Sequence, residues 1–183
     1  EARAREIPFV YISTAGVFDG SRDSYAEDDA HEANPLSVYG KSKYAGELIA
    51  RTYPKSVVLR SGWMIGGGPA KDKKFVGKLM AQVRAGVREI AAVHDKAGTP
   101  SYTYDIAHFM LYLLRAEKYG LYHACCANSG TRVDVATAVI ELFGLRGRVA
   151  VRAVSSDHFK EGYFAPRPVS EVITNALFPE HGR

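Results

Sequence analysis

Residues 34–47 read NPLSVYGKSKYAGE, with Tyr39 and Lys43 four apart and Gly40 between them. Asn34 is a good N-cap and Pro35 a good first helical residue. Apolar residues recur downstream at Leu36, Tyr39, Tyr44, Leu48 and Ile49, and Pro54 stops the run. The spacing predicts a helix over 34–53 with Tyr39 and Lys43 on one face. A phenol is a weak acid, with a pKa of about 10. A nearby ammonium favours the phenolate and makes the phenol a better acid. Gly40 carries no side chain, so a flat ligand could approach the backbone there. With eleven tyrosines in the chain, chance alone supplies such a pair. A surface lysine lying over a half-buried tyrosine would give the same letters.

Outward from this helix, short apolar runs alternate with helical patterns. Strands are predicted at Phe9–Ser13, Val57–Ser61, Ile90–Val93, Gly120–Ala124 and Val149–Val151. Helices are predicted at 75–85 and 106–116, and around Ala136, Val139, Ile140 and Phe143, with Gly144 closing the last. A glycine-rich loop, Gly66-Gly67-Gly68-Pro69, follows the second strand. Regular alternation of this kind predicts an α/β fold with a mostly parallel sheet.

The bulk properties narrow the function. The chain has 183 residues, 46% of them hydrophobic, which suits one globular domain with a real core. Its net charge of +4 is spread along the sequence, with a local cluster only at Lys71, Lys73 and Lys74. No basic and aromatic stripe suggests a nucleic-acid partner, and no apolar run approaches the length of a membrane span. No signal peptide opens the chain; Glu1–Glu6 looks instead like the charged end of a helix begun earlier. The six histidines are scattered and form no metal-ligating pair. Cys125 and Cys126 are adjacent, poorly placed to bridge each other. A reducing cytoplasm is the simplest compartment.

In open parallel sheets, ligands bind at the C-terminal ends of the strands. Thr14 ends the first strand and Trp63 follows the second, so both could meet Tyr39 and Lys43 at one crevice. This pattern resembles the extended, sugar-nucleotide branch of the short-chain dehydrogenase/reductases, and within it the dTDP-4-dehydrorhamnose reductases. The matching pieces are Ser13-Thr14, Val17-Phe18, Tyr39-Gly40-Lys41-Ser42-Lys43 and Ala45-Gly46-Glu47. They continue with Leu59-Arg60 to Trp63, Gly98-Thr99-Pro100, Asp105-Ile106-Ala107, Gly120-Leu121-Tyr122-His123, and Arg167-Pro168 with Ser170. They run in order over nearly the whole chain.

The resemblance implies a partial Rossmann-like doubly wound parallel sheet with a small α/β substrate-binding subdomain. Residues 1–65 would belong to the dinucleotide-binding domain and 66–183 mainly to the substrate-binding part, interleaved with it. It implies NADPH or NADH as cofactor, contacted by Tyr39, Lys43, Ser61 and Gly62. Tyr39 would deliver a proton to the carbonyl oxygen, Lys43 would keep it acidic and bond the nicotinamide ribose, and Thr14 would orient the substrate oxygen. Thr14, Ala15, Trp63, Lys74 and Arg167 would contact a nucleotide-diphosphate sugar. The complete protein would be a candidate homodimer.

Two departures qualify this. The family's acidic residue and tyrosine after the threonine are replaced by Ala15 and Gly16, which puts rhamnose-precursor specificity in doubt and argues against dehydration. A nucleotide-sugar 4-epimerase and a non-catalytic regulatory subunit remain as alternatives. The glycine-rich G-x-G-x-x-G turn that holds a pyrophosphate on a helix N-terminus is also absent. The chain is therefore expected to be the C-terminal part of a longer reductase.

Overall fold

The computed structural model describes residues 1–162 and 165–177. In chain order the elements are β1 (Phe9–Thr14), α1 (Val38–Ala50), β2 (Ser56–Ser61), β3 (Trp63–Ile65), α2 (Gly68–Lys71) and α3 (Phe75–Arg84). β4 (Glu89–Val93), β5 (Ala97–Gly98), β6 (Pro100–Tyr102), α4 (Thr103–Arg115) and β7 (Gly120–Ala124) follow. The chain continues with β8 (Gly130–Thr131), α5 (Arg132–Leu142), β9 (Ala150–Val154) and β10 (Ser170–Glu171).

The principal sheet is parallel, in the order β1-β2-β7. β2 is buried along its whole length, as a strand covered on both faces must be. Its side chains alternate between faces. Val57 and Leu59 meet Ile106, Phe109 and Leu113 of α4, while Arg60 points the other way and bonds Glu47 of α1. Helices therefore cover both faces of the sheet, as the α/β reading expects. A second parallel pair, β4 and β9, carries α3 and α5 on a separate core of Leu79, Ile90, Ala92, Ala136, Ile140 and Val149. Small ladders join the two regions: β3 with β6, and β10 with β5 and β8.

The first helix departs from its predicted form. It starts at Val38, capped by Ser37, whose hydroxyl accepts from the Gly40 N–H at 3.0 Å. Asn34 instead donates to Asp19, and Pro35 lies buried before the helix. Its large apolar residues Leu36, Tyr39, Leu48 and Ile49 are exposed, and the buried face is Gly40, Glu47 and Ala50. Small residues let this helix lie close to β1, so its inner face is not its most hydrophobic one.

The C-terminal segment returns across the top of the molecule. Tyr25 bridges Ile173, and the buried Glu27 accepts from the N–H groups of His123 and Ala176, each at 2.9 Å. Burial pushes the Cys125 thiol up to about 12, with Glu27 and Cys126 adding to the shift.

His123 lies beside Arg60 in the β2–β7 register and is fully buried. Burial first, then the Arg60 guanidinium, push its pKa down to about 4, against the opposing Thr174 and Tyr25 carbonyls. The unfolded chain thus binds a proton at this ring below about pH 6.5 that the native state refuses until about pH 4. The stability linked to His123 is complete above the upper value, is lost as pH falls through this window, and totals up to about 3 kcal/mol. His123→Gln retains a donor for the Thr174 carbonyl but does not titrate. Urea unfolding across this pH range should show a shallower loss of stability in the variant than in the wild type. Parallel pH profiles would contradict the assignment.

Candidate active site

The register of the principal sheet brings Thr14, Ser61 and Ala124 to one level, at the C-terminal ends of β1, β2 and β7. The chain turns after Thr14 into a short 3-10 helix, Ala15–Val17. Thr14 Oγ1 accepts from the Gly16 N–H at 3.1 Å, which leaves the hydroxyl proton for another acceptor. The Ala15 methyl does not line the crevice as expected; it is 2% exposed and packs with Val17, Phe18 and Ile173. An alanine suits this position because its side chain faces the core.

Gly40 also serves differently from the expectation. A Cβ there would lie 2.3 Å from the Gly16 carbonyl oxygen, so the protein's own backbone takes the space offered to a ligand. The contact sets the start of α1 directly against the turn that follows Thr14. Six residues further on, Gly46 rests on Tyr11, where a Cβ would fall 2.1 Å from the phenol oxygen. The Tyr11 hydroxyl donates to the Lys43 carbonyl, and the Lys43 ammonium lies 4.3 Å from the centre of the Tyr11 ring. That cation–π contact holds the lysine stem against the sheet side of the helix. Tyr39, one turn earlier, is 61% exposed, and its hydroxyl has no hydrogen-bond partner among the described residues.

A buried ion pair fixes the helix to the strand ends. Glu47 and Arg60 are both fully buried, with Arg60 Nε and Nη2 donating to the carboxylate at 3.0 and 2.8 Å. The Ser13 hydroxyl donates to the same carboxylate. Glu47 is thus tied to the residue before Thr14 on β1 and to the residue before Ser61 on β2. The sequence places both residues in matching motifs but gives them no role. A lone arginine in the apolar run VVLRS was the available signal.

At the end of β2, Ser61 is buried, and the next residue, Gly62, passes against the Thr99 carbonyl, where a Cβ would sit at 2.2 Å. Trp63 then enters a tight setting on the same rim. A Cβ on Gly98 would lie 2.2 Å from its ring, the Arg132 guanidinium lies 3.5 Å from the ring centre, and its indole N–H donates to Glu171 at 2.9 Å. Arg132 also lies over Phe75, 5.1 Å from that ring centre, beside Lys74 at the start of α3. Lys74 and Arg167 are exposed, and the Lys96 ammonium donates to the Arg167 carbonyl. Arg132 and Glu171 were not anticipated. They reach Trp63 from distant strands and helices, and no local spacing announces such a meeting. Among the described residues, no group of three or more His, Cys, Asp or Glu side chains could hold a metal ion.

Parallel strands ending at Thr14 and Ser61, with the helix of Tyr39 and Lys43 packed against them, define a Rossmann-like α/β fold. Residues 1–181 match the family model described as the RmlD substrate binding domain. The chain is 34% identical over 173 residues to a dTDP-4-dehydrorhamnose reductase of Mycobacterium tuberculosis, covering 92% of this chain and 54% of that protein. The crystal structure of dTDP-4-dehydrorhamnose reductase from Yersinia enterocolitica superposes with a TM-score of 0.88 at 34% identity, over 96% of this chain and 60% of that one. The Bacillus anthracis enzyme, solved in complex with NADP, gives 0.88 at 28% identity, over 99% of this chain and 62% of that one. The chain belongs to the RmlD substrate binding domain family, that of short-chain dehydrogenase/reductase proteins related to dTDP-4-dehydrorhamnose reductase. It spans a little over half the length of these relatives.

The role given to Tyr39 can be tested in the protein expressed from its complete reading frame. Tyr39→Phe removes the acid and keeps the ring. Carbonyl reduction should fall by about 10²–10⁴-fold, and the melting temperature should not change, since the ring is largely exposed. A variant keeping more than about half the rate would show that the proton comes from another group.

Proposed function

We propose that this chain carries the substrate-facing part of an NADPH- or NADH-dependent reductase acting on a nucleotide-activated 4-keto-6-deoxy sugar. The observation that carries the reading is the junction of Gly40 with Gly16, which packs the helix of Tyr39 and Lys43 against the turn after Thr14. Residues 1–65, with β7 added to their sheet, serve the cofactor side, and β4, β9, α3 and α5 build the substrate side.

The residues present suit a nicotinamide nucleotide at this edge. Tyr39 offers an exposed hydroxyl with no hydrogen-bond partner among the described residues, and Lys43, one turn further along, carries its ammonium over the Tyr11 ring. Gly62 follows the neighbouring strand end, where the Ser61 side chain is buried and does not reach the edge as expected. When bound, NADPH supplies the hydride for the carbonyl carbon. Thr14 donates a hydrogen bond to the carbonyl oxygen and so fixes its direction, keeping its own proton. Tyr39 Oη transfers its proton to that same oxygen as negative charge develops there, which completes the hydroxyl of the product. Lys43 would hold the nicotinamide ribose, its ammonium turning from the Tyr11 ring to do so. Lys74 and Arg167 face the diphosphate, where an arginine can form a bidentate clamp. The work is done in the cytoplasm, where Cys125 and Cys126 stay reduced; no helix among the described residues is long and apolar enough to cross a membrane.

The closest test is a stoichiometry. Protein from the complete reading frame, mixed with NADPH and dTDP-4-dehydrorhamnose, should oxidise one NADPH for each sugar reduced. A 4-epimerase would interconvert sugars with no net loss of NADPH, and a regulatory subunit would do neither. Either of those outcomes would overturn the reductase reading.

A further inference from the structure

Gly16, itself buried, leaves room for about one methyl group beside Thr14, and a carboxylate from the far end of the chain borders that room. A Cβ on Gly16 would have Glu171 Oε1 at 3.4 Å and Thr14 Oγ1 at 3.5 Å. Two polar oxygens from β10 and β1 thus face one small volume. The other Glu171 oxygen is held in place, since Oε2 accepts the Trp63 indole N–H at 2.9 Å. Glu171 is only partly buried, and its Oε1 accepts no hydrogen bond among the described residues.

The chemistry of the two oxygens is complementary. Thr14 Oγ1 already accepts from the Gly16 N–H, so toward the crevice it can donate its hydroxyl proton. Tyr39 also brings a hydroxyl donor to this edge. An ionised carboxylate can only accept. A ketone oxygen is an acceptor and matches the donors; it is mismatched with Glu171. A hydroxyl on the adjacent carbon is a donor and matches Glu171. Donors and an acceptor set around one space therefore fit a carbonyl with a hydroxyl beside it.

We propose that Glu171 accepts a hydrogen bond from the substrate hydroxyl next to the reacting carbonyl, and that it selects for substrates that carry this group. The proposal rests on the reductase reading and deepens it. It also gives the glycine at position 16 a consequence: the room left beside Thr14 is bordered by a carboxylate from β10. Trp63 has a part in this as the positioning residue, since its N–H orients the carboxylate.

A site built to accept a hydroxyl discriminates against the analogue lacking it, because the carboxylate then loses water without gaining a partner. The test compares dTDP-4-dehydrorhamnose with its analogue deoxygenated at the carbon next to the carbonyl, using protein from the complete reading frame. Wild type should prefer the hydroxylated sugar in kcat/KM by about 10- to 100-fold. Glu171→Ala should shrink that preference to within about threefold. Glu171→Gln keeps the shape and the acceptor for Trp63, so it guards against a folding failure; it should fall between the two. A residue that merely braces Trp63 would lower both substrates alike, and an unchanged preference in both variants would overturn the proposal. So would a wild type that does not discriminate. If wild type reduces neither sugar, the reductase reading fails, and calorimetric titration of the two nucleotide sugars decides Glu171 alone. Equal affinities there would overturn its role, and a preference lost in the variants would sustain it.

Discussion

The buried pair of Glu47 and Arg60 is the constraint around which this molecule is arranged. Removing two charges from water costs several kcal/mol per ion, and only close, multiple hydrogen bonding repays it. Here the arginine binds the carboxylate with two nitrogens, and the Ser13 hydroxyl adds a third bond. The Arg60 guanidinium also lies over the Phe18 ring, 4.8 Å from its centre. Few placements of α1 satisfy all of these partners. A slide of one residue along the helix would turn Glu47 away from both strands and leave Arg60 unpaired in the core. The pair therefore acts less as a source of stability than as a register pin.

What the pin aligns is the site. Ser13 precedes Thr14 and Arg60 precedes Ser61, so anchoring Glu47 at those two residues sets α1 against both strand ends at once. Lys43 lies one turn before Glu47, and Tyr39 one turn before Lys43. The two glycines Gly40 and Gly46 let the helix come close enough for this alignment, by contact with the Gly16 carbonyl and the Tyr11 ring. Trp63 completes the rim from β3, where Glu171 of β10 and Arg132 of α5 hold it. Each group at the crevice is thus positioned by backbone contact or by a bond to another element.

Much of this architecture is legible in the sequence, and the exceptions have physical causes. The alternation of strands and helices reads directly, because Val57–Leu59 and the 106–114 pattern are buried by large periodic residues. β7 is read at its observed bounds. α1 is located but misread at its start, because Ser37 competes with Asn34 as a cap and Pro35 is needed in the core. Its apolar residues suggest the wrong inner face, since a helix approaching through glycines buries little hydrophobic area. β3, β5, β6, β8 and β10 go unread, as strands of two or three residues carry no period. Within the site, Thr14, Tyr39, Lys43 and Trp63 are visible as letters in motifs. Glu171 and Arg132 are not, because only tertiary structure brings them to Trp63. Ala15 and Gly40 are read as ligand-facing, whereas both are consumed by internal packing.

The central claim is that the Glu47–Arg60 pair positions the helix of Tyr39 and Lys43, and it is tested by separating stability from activity. Replacing either residue alone leaves a buried unpaired charge and should cost about 3–5 kcal/mol. Replacing both, as Glu47→Leu with Arg60→Met, removes the charges together and should return stability to near wild type. The decisive measurement is kcat for dTDP-4-dehydrorhamnose reduction by that double variant, made from the complete reading frame, beside its urea unfolding curve. The account predicts restored stability with turnover still reduced at least about tenfold, because the helix has lost its register. A double variant that is both stable and fully active would contradict it.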